Sequence, residues 1–292
     1  MKTKISNKEI ENLIEKKFGE KPLKITDSYK GYDQVVKIVE TKNSKYIFKF
    51  PRREKEIIKN QAFASKVWTK AGVPVPEVLF YSKDFLVESF TEGTPLEELK
   101  ASDKEKKKIY FELGKLMKKM HSVKTKGYGN LKGKTKGEYK IFEDYVKWRM
   151  NLIENSREVI IENKLLSKKE IELLDKYIER KLKFSKKNQY VLCHQDLCEE
   201  HIFVKNGKIS GIIDLADIKS EDPMSDFRRI AKFNDSFLNE VIKGYGKVSK
   251  DRIEIHRFIL TMCNIPKCFR RDKPLRAKKF LKKLRSYISK TR

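Results

Sequence analysis

The stretch Val191–Asp217, VLCHQDLCEEHIFVKNGKISGIIDLAD, carries two aspartates and a histidine whose spacing could do chemistry. Val191–Cys193 reads as an entering strand. His201–Val204 and Lys208–Ile213 flank Asn206-Gly207, a dipeptide that favours a tight two-residue hairpin turn. Asp214 leaves the hairpin, so Asp196 and Asp214 lie on two loops that the hairpin can bring to one end. Two carboxylates taken out of water together cost several kcal/mol unless cations or donors compensate. The pair therefore suggests a metal ion, with His201 as a third polar group on the same loop. Acids around a metal at the mouth of a hairpin are the parts that phosphoryl transfer uses.

The residues between these groups are more specific. Protein kinases carry H-R-D-x-x-x-x-N for base and metal, followed later by D-F-G for metal. Here His194-Gln195-Asp196 is followed after four residues by His201, and then by Asp214-Leu215-Ala216. Together with Cys198–Ile202, Gly211–Asp217 and Asp222-Pro223-Met224-Ser225-Asp226-Phe227, this resembles the aminoglycoside phosphotransferase branch of the kinase-like fold. That branch includes choline and other small-molecule kinases. The pattern is most similar to the aminoglycoside 2''-phosphotransferases, in which His commonly replaces the loop Asn. The resemblance covers at least Lys49 to Phe227.

The resemblance implies a phosphotransferase that moves the γ-phosphoryl group of ATP or GTP to a hydroxyl, with Mg²⁺. Asp196 matches the catalytic carboxylate, which accepts the hydroxyl proton. His201 and Asp214 match the metal ligands, and Asp214 is the firmer of the two because magnesium favours oxygen. Lys49, in Tyr46-Ile47-Phe48-Lys49-Phe50-Pro51, matches the strand lysine that holds nucleotide phosphates. Its helical acid is displaced: counting back from Val73–Pro76 lands on Gln61, with Glu56 more than a turn earlier. Ser89 and Phe90 complete the expected nucleotide-side set. Asp217 is expected near the acceptor or bracing its loop, Asp226 bonding loop backbone, and His194 and His121 in structural roles. The phosphate loop Ser28–Asp33 has one glycine, which suffices for a turn and is not diagnostic. An aminoglycoside is the acceptor the resemblance suggests. Another small alcohol is the rival, as is a weakly active kinase-like protein that binds RNA or a partner through a basic face.

Each bland reading is also available. A lysine on an alternating strand is ordinarily a solvated charge, and an aspartate in a loop ordinarily forms a turn. Cys193, His194, Cys198 and His201 could be read as a zinc set, but structural zinc sites usually open with cysteines two to four apart. Reduced thiols are the expectation for all four cysteines, too few for a disulfide scaffold.

The elements that must position these residues follow from pattern. Ser6 with Glu9 forms a capping box ahead of the stripe Ile10, Leu13, Ile14 and Phe18. Runs Leu23–Tyr29, Gln34–Glu40 and Lys45–Phe50 read as strands, Arg53–Lys70 as a helix ending before Gly72, and Glu77–Tyr81 and Phe85–Phe90 as two more strands. Beyond Thr91–Pro95 the pattern turns helical: Asp103–His121 and Lys168–Phe184 behind capping boxes, Glu138–Glu154, and three more segments after the hairpin. The expected fold is α+β and two-lobed, a β-rich nucleotide-binding lobe at residues 1–90 and a mainly helical catalytic and acceptor-binding lobe at 91–292, with nucleotide between them.

Composition sets the outer bounds. The 292 residues are 39% hydrophobic, enough for a packed core. No apolar run approaches the ~20 residues that a membrane helix needs. The N-terminus lacks the apolar centre of a signal peptide, so a cytoplasmic location is expected. A net charge of +27 would favour encounter with nucleotides or nucleic acid. In Lys267–Arg292, however, twelve basic residues surround Ala277, Phe280, Leu281, Leu284 and Ile288 at helical spacing. That is the pattern of an amphipathic helix with a solvated face, and no aromatic-rich RNA motif accompanies it.

Overall fold

The structure, a computed structural model, describes residues 5–28, 34–52, 56–132, 134–186, 189–231 and 234–291. Helix α1, Asn7–Phe18, opens on the Ser6/Glu9 capping box and closes on Gly19, whose φ of 68° is the left-handed cap that glycine adopts freely. It buries Ile10 and Ile14 against a five-stranded antiparallel sheet. The strands are β1 (Pro22–Ser28), β2 (Gln34–Thr41), β3 (Lys45–Pro51), β4 (Val78–Tyr81) and β5 (Leu86–Ser89), in spatial order β1-β2-β3-β5-β4. Helix α2, Glu56–Lys70, is inserted between β3 and β4. The glycine loop expected at 29–33 lies outside the described residues.

Helix α2 also joins the two lobes. Trp68 is fully buried, and its indole N–H donates to the Met120 carbonyl at 3.1 Å. Met120 ends α3, Asp103–Met120, which follows the short β6 (Thr94–Pro95). Strands β7 (Tyr128–Leu131) and β8 (Gly137–Tyr139) precede α4 (Phe142–Glu162) and α5 (Lys168–Lys181). Next come β9 (Val191–Cys193), β10 (Ile202–Lys205), β11 (Lys208–Ile212) and β12 (Lys219–Glu221), then helices α6 (Asp235–Tyr245), α7 (Lys250–Arg270) and α8 (Pro274–Ile288). Two small sheets, β11-β10-β6 and β8-β7-β12-β9, frame the hairpin and its loops. The result is a β-rich lobe followed by a mainly helical one. No helix among the described residues is long and apolar enough to cross a membrane.

The Asn206-Gly207 turn has φ of 53° and 71°, the two positive values that a type I′ hairpin requires. Two helix expectations need correction. The segment from Glu138 is not yet helical: Gly137 and Tyr139 pair with Leu131 and Tyr128, and a Cβ on Gly137 would collide with the Tyr128 backbone. The helix starts at Phe142 and continues past Glu154 to Glu162, because Ile153 and Ile160 prolong its buried face. The C-terminal basic segment is not one helix either. The chain breaks between Arg270 and Pro274, where Asp272 has φ 48°, and Pro274 opens α8 at its first turn, where its missing N–H costs nothing. The five apolar residues expected to face inward are all buried, against α4, α5 and α7.

Candidate active site

Strand β9 is buried along its length and delivers His194 and Gln195 into the interior. Gln195 has φ 69°, an unfavourable value for a side-chain-bearing residue, so something must hold the turn. Asp226 does. Its buried carboxylate accepts from the His194 amide at 2.8 Å and the Gln195 amide at 2.7 Å, and meets His121 Nε2 at 3.0 Å. Burial opposes the charge on Asp226, but the His121 hydrogen bond and charge prevail and hold its carboxyl below the usual range. Arg228 adds a clamp, donating to Gln195 Oε1 at 2.7 Å and to the Gln195 carbonyl.

His194 fastens this loop to the next. Its Nδ1 accepts from the Asp196 amide at 3.2 Å, so Nε2 carries the proton and donates to the Ile213 carbonyl at 2.9 Å. Burial lowers its pKa, which favours this neutral tautomer. The Ile213 amide in turn donates to the His201 carbonyl at 2.9 Å. Both loops are thereby tied at Ile213, one residue before Asp214. Asp214 itself has φ 63°, a second strained position held by these flanking bonds.

The hairpin brings Asp196, His201 and Asp214 together: one ligand atom from each lies within 4.8 Å of the others. His201 Nδ1 is 2.8 Å from the Asp196 carbonyl, which can only accept, so Nδ1 carries the proton. The lone pair on Nε2 is left 3.7 Å from Asp214 Oδ2. That is too long for a hydrogen bond, and the two donors are of a kind that a single divalent cation would take together. One imidazole and one carboxylate make a thin protein shell, as expected of an ion completed by water and substrate phosphates.

Lys49 is buried on β3, with Nζ 2.6 Å from Glu88 Oε1. Burial pulls its pKa down, but Glu88, followed by Asp214, outweighs this and keeps the ammonium charged. Of the two expected helical partners, only the side chain of Gln61 is among the described residues, and it does not supply this contact. Gln61 is buried with both amide atoms unpartnered, and the side chain of Glu56 lies outside the described residues. The register explains the replacement: Lys49 pairs with Leu86 and Ile47 with Glu88, so Glu88 is diagonal to Lys49 on the same sheet face. The alternation of Leu86-Val87-Glu88-Ser89 was the signal available in the sequence.

Ser89 is tied to Glu77, accepting the Glu77 amide on its hydroxyl and donating its own amide to the Glu77 carbonyl, both at 2.9 Å. The Phe90 ring is exposed at the end of β5 with Lys45 Nζ 5.5 Å from its centroid. Asp217 is exposed at the end of the turn Leu215–Asp217, in the electrostatic range of Lys219 and Arg228.

Comparison with known proteins then decides the family. A model of the phosphotransferase enzyme family (APH) matches residues 28–256. The chain belongs to this family. Its fold is that of solved aminoglycoside phosphotransferases. A thermostable mutant of APH(4)-Ia in the apo form gives a TM-score of 0.72 at 13% identity, covering 96% of this chain and 98% of the other. The streptomycin–ATP–APH(2")-IIa ternary complex gives 0.67 at 17% identity, covering 96% and 97%. ADP-bound APH(2'')-Ib gives 0.65 at 18% identity, covering 98% and 99%. No curated protein matches the chain.

Within this phosphotransferase fold the zinc reading fails. Among the described residues the four do not converge: Cys193 lies with His121 and Asp226, while Cys198 lies with Glu200 and His201. His194 spends Nε2 on Ile213. Two residues at the site were not anticipated from the sequence. Glu88 is the first. The second is Arg229, whose Nη1 forms an ion pair with Asp196 Oδ1. Its only advance sign was its position in Arg228-Arg229, shortly after the loop-bracing Asp226.

Proposed function

We propose that this phosphotransferase is a small-molecule kinase that transfers the γ-phosphoryl group of ATP or GTP to a hydroxyl. The observation that carries this reading is the convergence of Asp196, His201 and Asp214 within 4.8 Å, with Asp214 also within electrostatic reach of Lys49. Lys49, kept charged by Glu88, holds phosphate oxygens. His201, through Nε2, and Asp214 would hold magnesium, which would supply positive charge against the phosphates. Asp196 orients the acceptor hydroxyl and takes its proton as the oxygen attacks phosphorus. Asp226, through the His194 and Gln195 amides, keeps Asp196 in place. Residues 1–90, including Ser89, Phe90 and Gln61, form the nucleotide lobe, and residues 91–292 hold the acceptor, with Asp217 on that side or bracing its loop.

Aminoglycosides are the first acceptors to try, since streptomycin accompanies ATP in one neighbouring structure. Small neutral and acidic alcohols belong in the same screen. Incubation with ATP or GTP, Mg²⁺ and each candidate should release the nucleoside diphosphate and yield a phosphomonoester detectable by mass. Nucleotide binding without phosphorylation of any alcohol would contradict the proposal.

A further inference from the structure

We infer that Arg229 is an anion-recognising residue on the acceptor side, and that the acceptor is a negatively charged alcohol, bearing a carboxylate or phosphate, rather than a polycation. This inference rests on the kinase reading and names its substrate class. The observation is the ion pair between Arg229 Nη1 and Asp196 Oδ1. The carboxylate that must accept the hydroxyl proton is thus engaged by a guanidinium. Both side chains are partly open, at 31% for Arg229 and 19% for Asp196, so the pair lies at the mouth of the site.

The surroundings fix the side and the sign. Lys49 and Glu88 come from the β-rich lobe, whereas Arg229 follows the turn Pro223–Arg228 in the helical lobe. Within electrostatic range of Arg229 is Arg276 of α8, a helix that packs on α5 and α7 and belongs wholly to that lobe. Burial and Arg276 both push the Arg229 pKa down, so a further anion would be welcome there. Of the two acids on the turn between Asp196 and His201, Glu199 is already used, accepting from the Tyr110 hydroxyl at 3.1 Å and the Ala231 amide at 2.7 Å, and the exposed Glu200 lies against Glu97. Asp217 is countered by Lys219 and Arg228. An ammonium-rich acceptor would meet like charge on this side, while a carboxylate or phosphate would find a planar donor fork.

This arrangement couples binding to chemistry. An acceptor anion draws Arg229 away from Asp196 and leaves the carboxylate free. The acceptor oxygen then forms a bond to the γ-phosphorus as its proton passes to Asp196. The bond from γ-phosphorus to the bridging oxygen breaks, the nucleoside diphosphate departs with that electron pair, and Asp196 later releases its proton to water.

The test is calorimetric titration of the full chain, loaded with Mg²⁺ and a non-hydrolysable ATP analogue. The probes are glycerate, gluconate and glucose 6-phosphate, their neutral counterparts glycerol and glucose, and the polycations kanamycin and neomycin. At least one acidic alcohol should bind more tightly than its neutral counterpart. Arg229→Gln should weaken that binding at least ~10-fold, the loss expected for one charge-assisted contact, with nucleotide affinity unchanged. Failure of every acidic probe to bind the wild type, tight binding of the polycations alone, or no effect of Arg229→Gln would each overturn the inference. Turnover with ATP is read separately. An acidic alcohol that binds through Arg229 without being phosphorylated would leave the anion site standing and refute the kinase reading.

Discussion

At the scale of single residues, the main distinction is between charges that are paired and polar groups that are not. Lys49 and Glu88 are buried together, so Glu88→Gln should destabilise the fold by about 3–5 kcal/mol by leaving a buried ammonium uncompensated. It should also weaken nucleotide binding. Gln61→Leu removes an amide with no partner among the described residues and should be neutral or stabilising. Urea unfolding with parallel nucleotide titration ranks the two, and the reverse order would return the lysine's partnership to α2. The metal ligands separate in the same way. Asp214→Asn removes an anionic oxygen and should raise the magnesium requirement for nucleotide binding more than His201→Asn, which keeps a neutral ligand of the kind protein kinases use. A greater effect at His201, in a magnesium titration of nucleotide affinity, would reverse that ranking. Asp196, His201 and Asp214 were legible because loop chemistry is written in contiguous motifs. Glu88 and Arg229 were not, because their roles depend on strand register and on a return of the chain that brings Arg229 back to Asp196.

At the scale of elements, short-range signals were readable and long-range ones were not. All three capping boxes and the Asn-Gly turn form as the local sequence dictates, since each is satisfied within a few residues. The helix expected over Glu138–Glu154 begins too early because Glu138 and Tyr139 belong to a strand that only its pairing partner, β7, makes a strand. The close crossing of α3 and α6 is a second long-range feature. A Cβ on Gly114 would collide with the Val241 carbonyl, and one on Gly244 with the Phe111 carbonyl. In an isolated helix, Gly→Ala would gain up to about 1 kcal/mol. Here backbone against backbone cannot yield cheaply, so overpacking of about 1–3 kcal/mol should win. Gly114→Ala is therefore expected to lower the melting temperature by several degrees, and an increase would mean that the helices can separate without loss.

For the molecule as a whole, the buried acids on the segment after the metal loop, Asp222 and the loop-bracing Asp226, also set its tolerance of acid. Asp222 loses favourable hydration on burial, yet His256 and Arg252 hold its carboxyl below the usual range, as His121 does for Asp226. Both are depressed relative to an unfolded aspartate near ~3.9, so their stabilisation is complete above that pH. It is lost as pH falls through their folded values. Thermal unfolding should therefore show stability falling below about pH 4, with a shallower fall in Asp222→Asn. An equally steep acid limb in that variant would assign the effect to other groups. The central claim, however, is that Asp196 is the base of a phosphoryl transfer, and its most direct test compares wild type with Asp196→Ala. Using an acceptor found by screening, the turnover rate and the nucleotide dissociation constant are measured on the same preparations. The account predicts a rate loss of ~10²–10⁴, typical of a missing general base, with nucleotide affinity nearly unchanged. Turnover at the wild-type rate in Asp196→Ala would contradict it.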